Sequence, residues 1–133
     1  MENTKKQTIL IVDDELIVHQ ILRDNLVADG FNVLQAKDGV EGLTIASLRH
    51  PDLILLDILM PQMDGLTMMQ KLRTQDTWGK KVPIILLTNL SPNEERIMKR
   101  IVEDEPAYYL VKTDWNINNI IDKIRERLNR SKD

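Results

Sequence analysis

Four short apolar runs in this chain each end in a polar residue capable of chemistry. Ile9-Leu10-Ile11-Val12 leads into Asp13-Asp14, and Leu53-Ile54-Leu55-Leu56 leads into Asp57. Ile84-Ile85-Leu86-Leu87 leads into Thr88, and Tyr109-Leu110-Val111 into Lys112. Three carboxylates, a hydroxyl and an ammonium at one rim would form a site for a cation and a phosphoryl group. Carboxylates crowded together repel unless a cation neutralises them or one is protonated. Hard oxygen donors without His or Cys suit Mg2+, for which Mn2+ could substitute, with water completing much of the octahedron. Asp57 stands alone at the end of its run and is the better nucleophile, since aspartate can accept a phosphoryl group as an acyl phosphate. The adjacent Asp13-Asp14 pair more naturally holds the metal. Lys112 would set a compact positive charge against a phosphoryl oxygen, and Thr88 would offer a hydroxyl donor. Such chemistry is mostly positioning and electrostatic stabilisation. Each residue also has an ordinary role open to it: Asp14 as a helix cap, Asp57 in a turn, Thr88 as a β residue, Lys112 as a strand-end cation. Four such placements at one rim favour the chemical reading.

These residues meet only if the runs are neighbouring strands. Apolar runs of about 4–8 residues rich in Ile and Val read as strands buried on both faces of a parallel sheet. Helical patterns separate them. Residues 15–29 carry Val18, Ile21, Leu22 and Leu26 at one-face spacing, with Gly30 as a C-terminal cap, and residues 31–36 read as a second strand. Asp38-Gly39 opens a helix through Leu43 and Ala46 that stops before His50-Pro51, because a residue preceding proline disfavours helical geometry. The turn-rich segment Met60-Pro61-Gln62-Met63-Asp64-Gly65 precedes a helix with Leu66, Met69 and Leu72 inward. Residues 74–82 read as a polar loop. Ser91-Pro92-Asn93-Glu94 combines an N-cap, a first-turn proline and a capping-box glutamate, which opens a fourth helix. After the last strand, residues 107–111, comes an amphipathic helix that buries Ile117, Ile120, Ile121, Ile124 and Leu128. The expectation is an α/β domain, (βα)5, with helices on both faces of a parallel sheet. Spacing alone does not set strand order. The order 2-1-3-4-5 would bring the ends of the first, third, fourth and fifth strands around one crevice at a topological switch point.

At 133 residues the chain fits a single domain, residues 1–133 with a core of about 7–129, able to bury about two-thirds of its unfolded surface. Hydrophobic content of 42% and charged content of 29% are ordinary for a globular protein. No apolar stretch approaches the roughly 20 residues that span a bilayer, so no membrane insertion is expected. Residues 1–8 are polar and lack the apolar core of a signal peptide, and there is no cysteine, which together suggest a cytoplasmic protein. A net charge of −3 argues against direct nucleic-acid binding. His19, beside the apolar positions of the first helix, reads as a surface residue, His50 as a helix-end residue, and Trp78 and Trp115 as lying in or near loops.

The chain resembles the receiver domain of bacterial two-component response regulators. The resemblance covers nearly the whole length and rests on Ile11-Val12-Asp13-Asp14-Glu15, on the segment from Pro51-Asp52 through Asp57-Ile58-Leu59-Met60-Pro61 to Met63-Asp64-Gly65, on Leu86-Leu87-Thr88, and on Tyr109-Leu110-Val111-Lys112. It implies a flavodoxin-like three-layer sandwich with strand order 2-1-3-4-5. It implies that Asp57 takes a phosphoryl group from the phosphohistidine of a sensor histidine kinase or phosphotransfer protein. It further implies that Asp14 and Asp57 ligate Mg2+, with Asp13 acting directly or through water and the backbone carbonyl of Leu59 completing the protein ligands. Thr88 and Lys112 would bind phosphoryl oxygens, and Tyr109 would be a rotamer switch coupled to Thr88. A changed surface on the fourth helix, last strand and last helix would then meet a downstream protein effector or form a homodimer.

Three positions depart from the family pattern. Thr113 stands where proline usually follows the lysine, and a cis bond before threonine costs about 3–4 kcal/mol, so either a trans bond with a shifted loop or a strained cis bond is expected. Asn89 replaces a small residue after Thr88. Glu105-Pro106 replaces Gly-Ala before the last strand. Leu59, Asn89 and Thr113 are the candidate modulators of the phosphorylated state. The expected function is therefore a phosphoacceptor switch that catalyses its own phosphorylation and slow dephosphorylation without being a metabolic enzyme. No further domain is read beyond Asp133, so output is expected through protein contact, dimerisation or phosphate relay. The alternative is a small hydrolase with an aspartyl-phosphate intermediate; such enzymes add an acidic residue two positions after the nucleophile, where this chain has Leu59. A flavin-binding module is disfavoured because the first strand leads into Asp13-Asp14-Glu15 and not into a small-residue phosphate loop.

Overall fold

Side chains on a strand alternate between the two faces of the sheet, and the core of this protein divides along that alternation. A computed structural model describes residues 6–88, 108–111 and 116–132. Five strands, β1 (Thr8–Val12), β2 (Asn32–Ala36), β3 (Leu53–Leu56), β4 (Ile84–Thr88) and β5 (Tyr108–Val111), form one parallel sheet in the order β2-β1-β3-β4-β5. Leu10, Val12, Ile54, Leu56, Ile84 and Leu86 point to one face. There they pack on Ala46 of α2 (Gly39–Arg49) and on Leu66, Met68, Met69 and Leu72 of α3 (Gly65–Gln75). Ile9, Ile11, Leu53, Leu55, Ile85 and Leu87 point to the other face. Their partners are Val18, Leu22 and Leu26 of α1 (Leu16–Ala28) and Ile120, Ile124 and Leu128 of the last helix, Ile117–Lys132. Two apolar layers on one sheet give the three-layer α/β sandwich with the strand order that places one crevice at the carboxyl edge.

Local chemistry sets the helix ends. Gly30 adopts a φ of 93° after α1, a conformation glycine enters without a Cβ penalty, and the backbone N–H of Gly30 donates to the Val27 carbonyl at 3.0 Å. Asp38 Oδ1 accepts from the Glu41 N–H at 2.8 Å while Glu41 Oε1 accepts from the Lys37 N–H at 2.9 Å. Asp64 caps α3 by accepting from the Thr67 N–H at 2.7 Å. The last helix starts at Asn116, whose Oδ1 accepts from the Asn119 N–H at 2.9 Å, and Arg125 pairs with Asp29 to tie that helix to the end of α1.

Three sequence expectations are corrected here. Residues 74–82 are not a plain loop: α4 (Thr77–Lys81) forms within them, capped by Asp76 Oδ1 accepting from the Gly79 N–H at 2.7 Å. Arg73 Nη1 holds its far end by donating to the carbonyls of Gly79 and Val82, both at 2.8 Å. Trp78 accordingly sits on a helix, packs against the core beneath it, and stacks on His50 with ring centres 4.2 Å apart. On α1, Ile21 is 43% exposed, while His19, expected at the surface, is only 6% exposed. The helix expected from Ser91, Trp115 and the 105–106 segment fall outside the described residues. Replacing Asp76 with alanine should lower stability by about 1 kcal/mol, the usual worth of an N-cap, as read by urea unfolding. An unchanged midpoint would mean that the cap is redundant beside Arg73.

Candidate functional site

Val12 and Leu56 are direct partners across the β1–β3 pair, so the next residue on each strand emerges at the same place on the carboxyl edge. Those residues are Asp13 and Asp57. The Asp57 N–H donates to the Val12 carbonyl at 2.9 Å, and the Asp13 N–H donates to the Ala36 carbonyl of β2 at 3.1 Å. The sheet ladder thus continues one residue further and fixes both backbones. The side chains lie largely out of solvent, Asp13 at 2% exposure and Asp57 at 5%, while Asp14 is exposed. Carboxylate oxygens of Asp13, Asp14 and Asp57 lie within 4.8 Å of one another.

At that separation two like charges repel by roughly 3 kcal/mol at an effective dielectric of about 20, so a divalent cation is the natural complement of the cluster. The donor set fits Mg2+: oxygen ligands only, with one carboxylate at the solvent side where bound waters can complete an octahedron. The Asp13 carboxylate is already oriented, because its Oδ1 accepts from the Glu15 N–H at 2.9 Å.

The loop after Asp57 is shaped by close backbone packing. The Gly65 N–H donates to the Ile58 carbonyl at 2.8 Å, and a Cβ at position 65 would come within 2.0 Å of the Asp57 carbonyl oxygen. Gln62, within the loop, takes a φ of 69°, a left-handed conformation that side chains rarely adopt. The second position after Asp57 is Leu59, which is 58% exposed and carries no acid.

Of the residues expected from sequence, the structure brings Asp13, Asp14 and Asp57 together and sets Leu59 on the adjoining loop. The backbone of Thr88 ends β4 at the same edge, paired with Val111 of β5, and the Tyr109 backbone lies in β5 opposite Leu86. The side chains of Thr88 and Tyr109 lie outside the described residues, as do Lys112, Asn89, Thr113 and the Lys112-Thr113 peptide bond. Two contributors escaped the sequence reading. Gly65 appeared only as a turn residue, although its approach to the Asp57 backbone sets the loop. His19 donates from Nε2 to the Asp13 carbonyl at 2.6 Å.

Comparison with known proteins agrees with this geometry. A family model described as the response regulator receiver domain matches residues 9–125. The probable transcriptional regulator ycf27 of Cyanophora paradoxa is 44% identical over 97 residues, covering 73% of this chain and 38% of that protein. The DNA-binding dual master transcriptional regulator RpaA of Synechocystis sp. is 32% identical over 123 residues, covering 92% of this chain and 49% of that protein. The chain therefore spans two-fifths to half of the length of these curated relatives. Among solved structures, the chemotaxis protein CheY4 of Vibrio cholerae superposes with a TM-score of 0.82 at 27% identity, covering 92% of this chain and 98% of that one. A CheY-like receiver domain protein from Methanospirillum hungatei shares the fold with a TM-score of 0.86 at 24% identity, over 96% of this chain and 98% of that one.

Proposed function

The chain belongs to the response regulator receiver domain family, and from that membership we propose that Asp57 is its phosphoacceptor, with Asp13, Asp14 and Asp57 as the side-chain ligands of Mg2+. It is a receiver domain of two-component signalling, a phosphoacceptor switch and not a dedicated enzyme. The observation that carries the assignment of residues is the close set of three carboxylates, two of them buried, at the carboxyl edge of β1 and β3.

An Asp57 oxygen attacks the phosphorus of a phosphohistidine, forming an O–P bond as the donor's N–P bond breaks, and the freed imidazole takes up a proton. The bonds from the Asp57 N–H to the Val12 carbonyl and from the Gly65 N–H to the Ile58 carbonyl fix the backbone that carries the Asp57 carboxylate, and the buried setting limits competing water. Asp13, Asp14 and Asp57, with the Leu59 carbonyl, would hold Mg2+, which when bound would supply positive charge to the phosphoryl oxygens. Lys112 completes the neutralisation and the Thr88 hydroxyl donates to the phosphoryl group, with Tyr109 following Thr88 to alter the face of the helix expected from Ser91, β5 and the last helix. Histidine kinases and downstream effectors are the partners of response regulators; that face is where this chain would meet an effector or a second copy. The core of the domain runs over about residues 7–129. Among the described residues no helix is long and apolar enough to cross a membrane.

The hydrolase alternative lacks support at Leu59, where no general acid is available. Acetyl phosphate with Mg2+, followed by intact mass, separates the two. A single phosphate adduct that requires Mg2+ and is absent in EDTA is the expected result. Sustained multiple turnover of unrelated phosphate esters would favour the hydrolase, and an equal adduct in EDTA would remove Mg2+ from the assignment.

A further inference from the structure

We propose that His19 is a positioning residue for the cation site, holding the Asp13-Asp14 turn so that both carboxylates are set before Mg2+ arrives. The inference rests on the assignment of Asp13, Asp14 and Asp57 as the Mg2+ site.

His19 sits in the second turn of α1 with its ring turned back over the helix start. The Nε2 to Asp13 carbonyl distance is 2.6 Å in a buried setting. A carbonyl can only accept, so Nε2 carries the proton whichever charge state the ring holds. Asp13 is thereby gripped at three points: its N–H by the Ala36 carbonyl, its carboxylate by the Glu15 N–H, and its carbonyl by His19. The third grip fixes the Asp13–Asp14 peptide plane, and that plane aims Asp14. Glu15 at the N-cap of α1 makes no side-chain capping bond.

The ring's other nitrogen shows that the placement is not simply good packing. Nδ1 of His19 is buried and has no hydrogen-bond partner among the described residues. An unsatisfied buried nitrogen is unfavourable, and the neighbours Val18 and Leu22 show that an apolar side chain suits this face of α1. Among the described residues the ring makes one hydrogen bond, and that bond goes to the backbone of a proposed cation ligand. Groups that orient a ligand without touching the metal commonly change its affinity by about 10–100-fold.

The test uses the full chain, with Mg2+ binding followed by calorimetry and the Mg2+ dependence of acetyl phosphate uptake followed by intact mass. His19→Leu, which removes the donor, should weaken Mg2+ binding by about 10–100-fold. It should raise the Mg2+ needed for half-maximal uptake by the same factor, with the rate at saturating Mg2+ little changed. His19→Gln, whose amide can donate to the same carbonyl, should recover most of the affinity. Should His19→Leu fail to fold, His19→Phe replaces it with the same expectation. Wild-type Mg2+ affinity in the donor-less variant, or equal weakness in His19→Gln and His19→Leu, overturns the proposal while leaving the cation site standing. No Mg2+ binding by the wild-type chain overturns both.

Discussion

Asp57→Asn should take up no phosphoryl group from acetyl phosphate, with the mass adduct falling from its wild-type level to none. The substitution keeps the shape of the side chain and its place after Leu56, so the fold has no reason to change. It removes the oxygen proposed to attack phosphorus, and a carboxamide is too weak a nucleophile to replace it. The same change takes away one of the three carboxylates whose oxygens lie within 4.8 Å of one another. Two consequences then separate from each other in experiment. Mg2+ should raise the melting temperature of the wild-type chain, because a ligand that binds only the folded state stabilises it, and the increment should shrink in Asp57→Asn. A variant that still gained a phosphate would move the acceptor to another residue. A variant with the full Mg2+ increment would show that Asp57 accepts the phosphoryl group without ligating the metal.

Gly65→Ala should be the most damaging single-methyl change near the site. Its Cβ would meet the Asp57 carbonyl oxygen at 2.0 Å, the Asp57 carbonyl carbon at 2.9 Å and the Ile58 Cα at 3.1 Å. All three are backbone atoms, so no side-chain rotation relieves the clash. The first turn of α3 must withdraw and lose the bond from the Gly65 N–H to the Ile58 carbonyl. Overpacking of this kind costs about 1–3 kcal/mol or more, and the broken hydrogen bond adds about 1 kcal/mol. Alanine recovers up to about 1 kcal/mol of helix propensity over glycine, which does not offset the loss. The net expectation is a destabilisation of about 2–3 kcal/mol in urea unfolding, with slower phosphoryl uptake because the displaced atoms belong to Asp57 itself. Gly30→Ala serves as the contrast: among the described residues beyond its chain neighbours no atom lies within 4 Å of its added Cβ, so only the cost of a positive φ remains and phosphoryl uptake should be unchanged. Equal stability of Gly65→Ala and wild type would show that the loop after Asp57 yields easily and does not fix the acceptor.

The burial of His19 in place of Ile21 follows from the geometry of α1. Val18, Leu22 and Leu26 form a row spaced by four residues, and at about 100° per residue such a row drifts by about 40° per step. The drift carries the buried stripe toward His19 and away from Ile21. Ranking positions by hydrophobicity alone chose Ile21, which is exposed, over the histidine, which the Asp13 carbonyl holds inside. The short helix at Thr77–Lys81 was hidden for a different reason. Five residues are too few to show a helical period, and the elements that stabilise it are a cap from Asp76 and a clamp from Arg73.

What the sequence determined by itself is the set of buried strands and the residue that follows each. Apolar runs such as Leu53-Ile54-Leu55-Leu56 have one comfortable environment, the middle of a covered parallel sheet, and a charged residue directly after them must lie at its edge. The motifs around Asp13-Asp14 and Asp57 therefore place carboxylates at that edge from residue order alone. Which rims meet was decided only by tertiary structure. Every strand–helix–strand unit has the same local pattern, so nothing in β1 or β3 alone states that they are neighbours. That follows from pairing Val12 with Leu56, which buries both faces of β1 and β3 under separate helix pairs. The same pairing puts Asp13 and Asp57 side by side. The two finer restraints, Gly65 against the Asp57 backbone and His19 on the Asp13 carbonyl, depend on distances of a few ångströms between elements, which residue types and spacing do not encode.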